Sequence, residues 1–357
     1  MTTNGLRAAA GEAGDDVDAG VLIGTGHSIR PLGGRVLVWP MVLDALLERR
    51  LVILSGKGGV GKSVVGTALA MAARARGKRI LFIEVDAPLT ASRYLGEAPV
   101  GGKETEVRPG FSTVNLVPAQ VMDEYVRETI RVDMLSRKVL GSPVYRRFFA
   151  AAPGLPELMV LGKIMVYEEE RTGWPRHPKY DLIVVDAPAT GHGLAFLRVP
   201  LVASNAVPVG PVGHNARRIL AMLRDPQRTA LAVVALPEEM AVVEALEFHR
   251  MTRDELGIEA RAFILNGCHE RRFTGAQETE ILRRAGEDED GRLAPGVTLQ
   301  AALAAGRRHI RRRKLTQFYL KRLKQAVDVP VLSLPLLFTD RMDETALETL
   351  ARRLEAA

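Results

Sequence analysis

Short apolar stretches rich in Val, Ile and Leu recur at residues 51–54, 79–85, 182–185, 231–234, 262–265 and 329–334. They are continuous rather than alternating, which is the pattern of strands buried on both faces. Segments with helical apolar spacing lie between them, giving the βαβ rhythm of a parallel sheet covered by helices. The widest gap, about residues 91–180, carries helical patterns at 119–139 and 155–170 and predicts a helical subdomain inserted between core strands. Residues 1–40, rich in Gly, Ala, Asp and Arg, hold no sustained period and read as a poorly ordered extension. A short helix is predicted over 42–50, and Met41 just ahead of it is an alternative start for the working part of the chain, 41–357.

Composition narrows the class. The 357 residues are 47% hydrophobic and 25% charged, with Gly and Pro only modestly above average, so fibrous and disordered chains are excluded. No apolar run reaches the roughly 18 residues of a membrane helix, and the N-terminus lacks a basic region followed by an apolar one, so a cytoplasmic protein is expected. Cys268 is the one cysteine, which excludes an intrachain disulfide and an all-thiolate metal site built from one chain. The net charge of +7 leaves room for an acidic partner without bearing on the fold.

The densest chemistry lies in Gly56-Lys57-Gly58-Gly59-Val60-Gly61-Lys62-Ser63, between a predicted strand and an Ala-rich helical segment at 64–76. Glycines let backbone N–H groups turn inward around phosphate oxygens, and the helix N-terminus adds its positive end. In such a loop Lys62 reaches the β/γ-phosphates of ATP and Ser63 offers its hydroxyl to Mg²⁺. Two carboxylates end predicted strands, where doubly wound sheets gather ligand-binding residues: Asp86 and Asp186. An aspartate opposite a phosphate loop commonly holds Mg²⁺ directly or through water, a role that suits Asp186.

Lys57, a second lysine early in the Lys-Gly-Gly-Val-Gly-Lys-Ser string, resembles the deviant Walker A loop of a particular ATPase family. Its members include the arsenite-pump, tail-anchored-protein targeting, partition and division-site ATPases. The resemblance implies that Lys57 crosses a dimer interface to the partner's nucleotide, so that a homodimer completes the active sites. It also implies that Asp86 orients and polarises the attacking water. Asp86-Ala87-Pro88-Leu89 departs from the family's Asp-Pro-Ala-His order, however, and a turn-capping role stays open. Thr190-Gly191-His192, following Asp186-Ala187-Pro188-Ala189, resembles the second switch of the arsenite-pump and tail-anchor branch. Pro153-Gly154-Leu155-Pro156-Glu157-Leu158 and Leu236-Pro237-Glu238-Glu239-Met240 extend the likeness. The resemblance further implies that Asn266 bonds the adenine edge and that Pro335 lies in a loop against the base. An Asn that ends a strand in a turn is the alternative for Asn266.

Other family properties are not matched. One phosphate loop and one cysteine disfavour arsenite transport, and the absence of a Cys-x-x-Cys pair disfavours a zinc-bridged dimer. Met122, Met134, Met159 and Met165 suit an adaptable surface for a hydrophobic protein client, yet Leu158, Leu161, Ile164 and Met165 fit an ordinary buried helix face. Residues 307–324 hold many Arg and Lys and no acid; they read as a solvated helix with a stripe of Ile310, Leu315, Tyr319, Leu320 and Leu323, ahead of a nucleic-acid or anionic-membrane surface. The expectation is an α/β P-loop NTPase with a mostly parallel, doubly wound sheet and a helical insertion. Its activity is expected to be Mg²⁺-dependent ATP hydrolysis in a homodimeric switch for a protein client. The alternatives are a positioning ATPase on DNA or membrane and the ATPase subunit of an anion efflux system.

Overall fold

The computed structural model describes residues 40–87, 90–129, 140, 142–143, 154–284 and 298–356. Outside them lie residues 1–39 of the expected extension, Pro88, Leu89, Met134, Pro153 and the end of the helix expected over 119–139.

Eight strands form one sheet in the order β10-β9-β8-β1-β7-β2-β4-β3. They are β1 (Leu51–Gly56), β2 (Ile80–Val85), β3 (Thr105–Arg108), β4 (Phe111–Leu116), β7 (Leu182–Asp186), β8 (Thr229–Ala235), β9 (Ala260–Cys268) and β10 (Val331–Pro335). Every neighbouring pair is parallel except β3 with β4. β5 (Arg171–Thr172) and β6 (His177–Pro178) form a separate two-stranded ribbon. All residues of β1, β2, β7 and β8 are buried, as their unbroken apolar runs require when helices cover both faces.

A short helix α1 (Pro40–Leu47) precedes β1 and buries Leu43, Leu46 and Leu47. Helix α2 (Lys62–Ala75) leaves the glycine-rich loop and carries a row of small residues that brings it close to the sheet, with α11 (Glu344–Ala356) against it. The other helices are α3 (Thr90–Tyr94), α4 (Pro118–Thr129), α5 (Leu155–Glu169), α6 (Thr190–Ala206), α7 (Gly210–Arg224), α8 (Glu239–Leu256), α9 (Gly275–Arg284) and α10 (Leu299–Ala326). Parallel strands put all their C-terminal ends on one edge. The glycine-rich loop, Asp86, Asp186, Asn266 and Pro335 therefore share that edge.

Two findings differ from the sequence expectation. Residues 91–180 are not purely helical, since they also supply β3 and β4 to the sheet margin. Phe111-Ser112-Thr113-Val114-Asn115-Leu116 buries three polar residues and never forms the apolar run that marks the other interior strands. In α10, Ile310, Tyr319 and Leu323 are buried as expected, but Leu315 is 50% exposed and Thr316 takes a buried place instead.

Beside the sheet, α4, α5 and α7 border a cleft of about 560 Å³ lined by Met122, Tyr125, Met159, Val166, Val212 and Ile219 among others. Leu161 and Ile164 face the core and are fully buried, so α5 serves both readings of its apolar residues. Its rim carries the ion pairs Lys163–Glu124 and Arg218–Glu169, each 2.7 Å.

Candidate active site

The loop between β1 and α2 is shaped by close approach. At Gly56 a Cβ would stand 2.2 Å from the Val234 carbonyl oxygen of β8, and at Gly61, where φ is +86°, it would stand 2.4 Å from Asn266 Nδ2. Only glycine fits either place. Helix α2 has Gly61 at its N-cap, with no side-chain cap and no acidic residue in its first turn. Its leading N–H groups are thus left for an anion. Lys62 curls over the same loop, its Nζ donating to the carbonyls of Gly56 at 3.2 Å and Lys57 at 3.4 Å. Burial lowers the pKa of its ammonium, and Asp186 partly offsets that.

The Ser63 hydroxyl donates to Asp186 Oδ2, while Asp186 Oδ1 is buried and has no hydrogen-bond partner among the described residues. Burial pushes the Asp186 carboxyl up to about 6; the Ser63 hydrogen bond and Lys62 pull it down, and Glu84 adds a smaller upward push. A hydroxyl and a carboxylate with one unsatisfied oxygen are hard-oxygen donors, the kind Mg²⁺ takes. These residues fit that ion and a nucleotide phosphate beside it.

Asp86 directly follows β2, the neighbour of β7, and lies two residues beyond Glu84, the register partner of Asp186. Its side chain is exposed and its backbone is left-handed, with φ +47°. Lys57 turns toward its own α8, with Nζ 2.7 Å from Glu244 Oε1. Asn266 Nδ2 donates to the Val60 carbonyl at 2.9 Å, so this side chain braces the loop from β9. Pro335 closes β10, where Leu336 N donates to the Cys268 carbonyl at 2.8 Å. His192 stands exposed in the first turn of α6. Cys268 is buried and its thiol is pushed up to about 12 by burial, which leaves it without thiolate character.

Sequence pattern missed two residues at this edge. Glu84 is 1% exposed inside the apolar run of β2, and Asn115 is 7% exposed at the end of β4. A carboxylate inside an otherwise apolar strand is the signal that marks Glu84. Nothing comparable marks Asn115, because β4 itself is not recognisable as an interior strand.

Residues 49–209 match the model of the anion-transporting ATPase family, and 290 residues align at 30% identity with the ATPase BagA of Mycobacterium tuberculosis, covering 77% of this chain and 81% of that protein. The chain belongs to this ATPase family. It is similar also to a putative arsenical pump-driving ATPase of Halobacterium salinarum, 26% identical over 240 residues that cover 61% of this chain and 35% of that protein. A third relative is the ATPase get3 of Schizosaccharomyces japonicus, 26% identical over 174 residues, covering 47% of this chain and 50% of that protein. This family member is an ATP-hydrolysing enzyme on a mostly parallel α/β sheet. Among the described residues no helix is long and apolar enough to cross a membrane.

Proposed function

We propose that the chain is a Mg²⁺-dependent ATP switch that works as a homodimer in the cytoplasm and handles a hydrophobic protein client. The observation that carries it is the orphaned, buried Asp186 Oδ1 beside the Ser63 hydroxyl at the mouth of an uncapped helix. Ser63 and Asp186 hold Mg²⁺ in this reading, and the bound ion neutralises charge on the phosphates. Gly56, Gly58, Gly59, Val60 and Gly61 present backbone N–H groups to ATP. Lys62 moves from the loop carbonyls to the β/γ-phosphates, Asp86 accepts a hydrogen bond from the attacking water, and Asn266 and Pro335 meet the base. Lys57 leaves Glu244 for the partner's nucleotide. The cleft between α4, α5 and α7 supports a client with an apolar face.

Phosphate release by Lys57→Ala, Lys62→Ala and an equimolar mixture tests this. Each variant is expected to be inactive, and the mixture to regain about a quarter of wild-type turnover, since half the dimers are mixed and hold one intact site. Turnover in Lys62→Ala at the wild-type rate overturns the site, and no recovery on mixing overturns the shared one.

A second reading has one observation in its favour. Arg307, Arg308, Arg311, Arg312 and Lys314 are exposed on α10 next to the exposed Leu315 and Phe318, a surface suited to DNA or anionic vesicles. ATP-dependent binding to either that falls steeply with salt, with no client recovered, would replace the client reading.

A further inference from the structure

The left-handed backbone at Asp86 is unusual: it is the one non-glycine residue with positive φ among the described residues. An L-residue enters that region at a cost, so neighbouring contacts must hold it there. Those contacts come from β4. The parallel ladder between β2 and β4 ends at Val85 opposite Leu116, and Asp86 N donates to the Leu116 carbonyl at 3.1 Å. Beyond that point the Asn115 side chain replaces the ladder. Its Nδ2 donates to the Ala87 carbonyl at 3.0 Å and its Oδ1 accepts from Ala87 N at 3.4 Å. Both polar groups of one peptide residue are thus gripped by one amide. Asn115 is itself fixed, being 7% exposed with its backbone N donating to the Gly101 carbonyl at 3.1 Å. On the far side of the segment, Ala91 N donates to Glu84 Oε1 at 3.4 Å.

We propose that Asn115 is a positioning residue for hydrolysis: its amide clamps Ala87 and thereby fixes the left-handed turn that aims the Asp86 carboxylate. This rests on the reading of Asp86 as the group that orients water. An amide is suited to the task because it offers a donor and an acceptor side by side, which a carboxylate at neutral pH does not. The Asn115 amide bonds Ala87, so its effect on hydrolysis is exerted through Asp86.

A double-mutant cycle on the full-length chain tests it, using steady-state phosphate release and binding of a fluorescent ADP analogue. Asn115→Ala is expected to lower kcat roughly 10- to 100-fold, the usual size of a misplaced catalytic group. KM and ADP-analogue affinity should stay within about twofold. In the Asp86→Ala background, Asn115→Ala should cost no further turnover. A residue that only stabilises the fold would give losses that multiply, and would weaken nucleotide binding as well. If Asn115→Ala does not fold, Asn115→Asp keeps the volume and the acceptor for Ala87 N while setting an oxygen against the Ala87 carbonyl. It should show the same loss in kcat. Hydrogen exchange of the peptide containing Asp86 and Ala87 should speed up in either variant. Multiplying losses, or an unchanged kcat in both variants, overturns the clamp. Wild-type turnover in Asp86→Ala overturns the assignment of Asp86, and with it any catalytic role for Asn115.

Discussion

Glu168 and Asp186 are both nearly buried carboxylates, 2% and 5% exposed, but they sit at opposite edges of the sheet and are treated differently. Glu168, in α5, accepts from Arg50 Nε at 3.0 Å on one oxygen and from Arg228 Nη2 at 2.5 Å on the other; its backbone carbonyl accepts from Arg50 and from Arg171 Nη1 at 2.9 Å. Arg50 and Arg228 stand just before β1 and β8, so a fully satisfied carboxylate ties a helix to the N-terminal ends of two central strands. Asp186, at the C-terminal edge, has one oxygen on the Ser63 hydroxyl and the other on nothing among the described residues. A buried carboxylate with both oxygens bonded is structural, whereas one left with a bare oxygen is prepared for a ligand.

The largest effect expected from breaking this contrast is at the ligand edge. Lys62→Ala should lower turnover by at least about 10³-fold, because positioned cations stabilise the developing phosphoryl charge directly. Its urea midpoint should stay near wild type, since Lys62 holds only loop carbonyls. Steady-state phosphate release and equilibrium unfolding check the two halves. At the opposite edge the outcome should invert. Glu168→Ala leaves two partly buried arginines without their carboxylate and should cost about 3 kcal/mol in urea unfolding. Turnover per folded molecule should stay near wild type at a temperature where the variant is folded.

Asp186→Asn sharpens the comparison in one molecule. The folded carboxyl of Asp186 is raised, to about 6 from an ordinary 3.8, so the folded state holds its proton more tightly than the unfolded chain. That cost is absent below the unfolded value, grows as pH rises toward 6 and is complete above it. The substitution should therefore stabilise the nucleotide-free chain on the order of 3 kcal/mol at pH 8 and about half as much at pH 5, while abolishing turnover. Urea unfolding at the two pH values is the measurement. Destabilisation at pH 8 would mean that Asp186 is a structural group like Glu168.

Much of this edge was legible because several signals coincide there. Gly56, Gly61, Lys62 and Ser63 lie in one contiguous string, and the strands before Asp86 and Asp186 are plain apolar runs. The edge is a property of parallel topology, so recognising those strands already places the residues on one side. What stayed hidden depends on contacts across long sequence separations. Glu168 meets Arg50 and Arg228 at sequence separations of 118 and 60, and no local pattern marks such a pairing. Asn115 was hidden by its strand, where buried Ser112, Thr113 and Asn115 break the apolar run. Leu315 failed for the opposite reason: helical spacing put it on the buried stripe, but the packing of α10 turns it outward.

The smallest effect expected is at a third carboxylate, Glu244, which is partly exposed and ion-paired. Lys57 and Glu244 meet at 2.7 Å with side chains 38% and 30% exposed, so solvent screens the pair and its contribution should not exceed about 0.5 kcal/mol. Glu244→Gln should shift the urea midpoint by no more than that, and less at high salt. The functional consequence is larger than the stability change if both lysines must leave their glutamates when a dimer closes. Two releases of about 0.5 kcal/mol add to about 1 kcal/mol, a factor of roughly five in the dimer equilibrium. The dependence of specific activity on protein concentration should therefore move about fivefold toward lower concentration in Glu244→Gln, with the plateau unchanged. No shift would mean that Lys57 does not leave Glu244 on closing. A shift toward higher concentration would mean that Glu244 supports the closed dimer rather than restraining it.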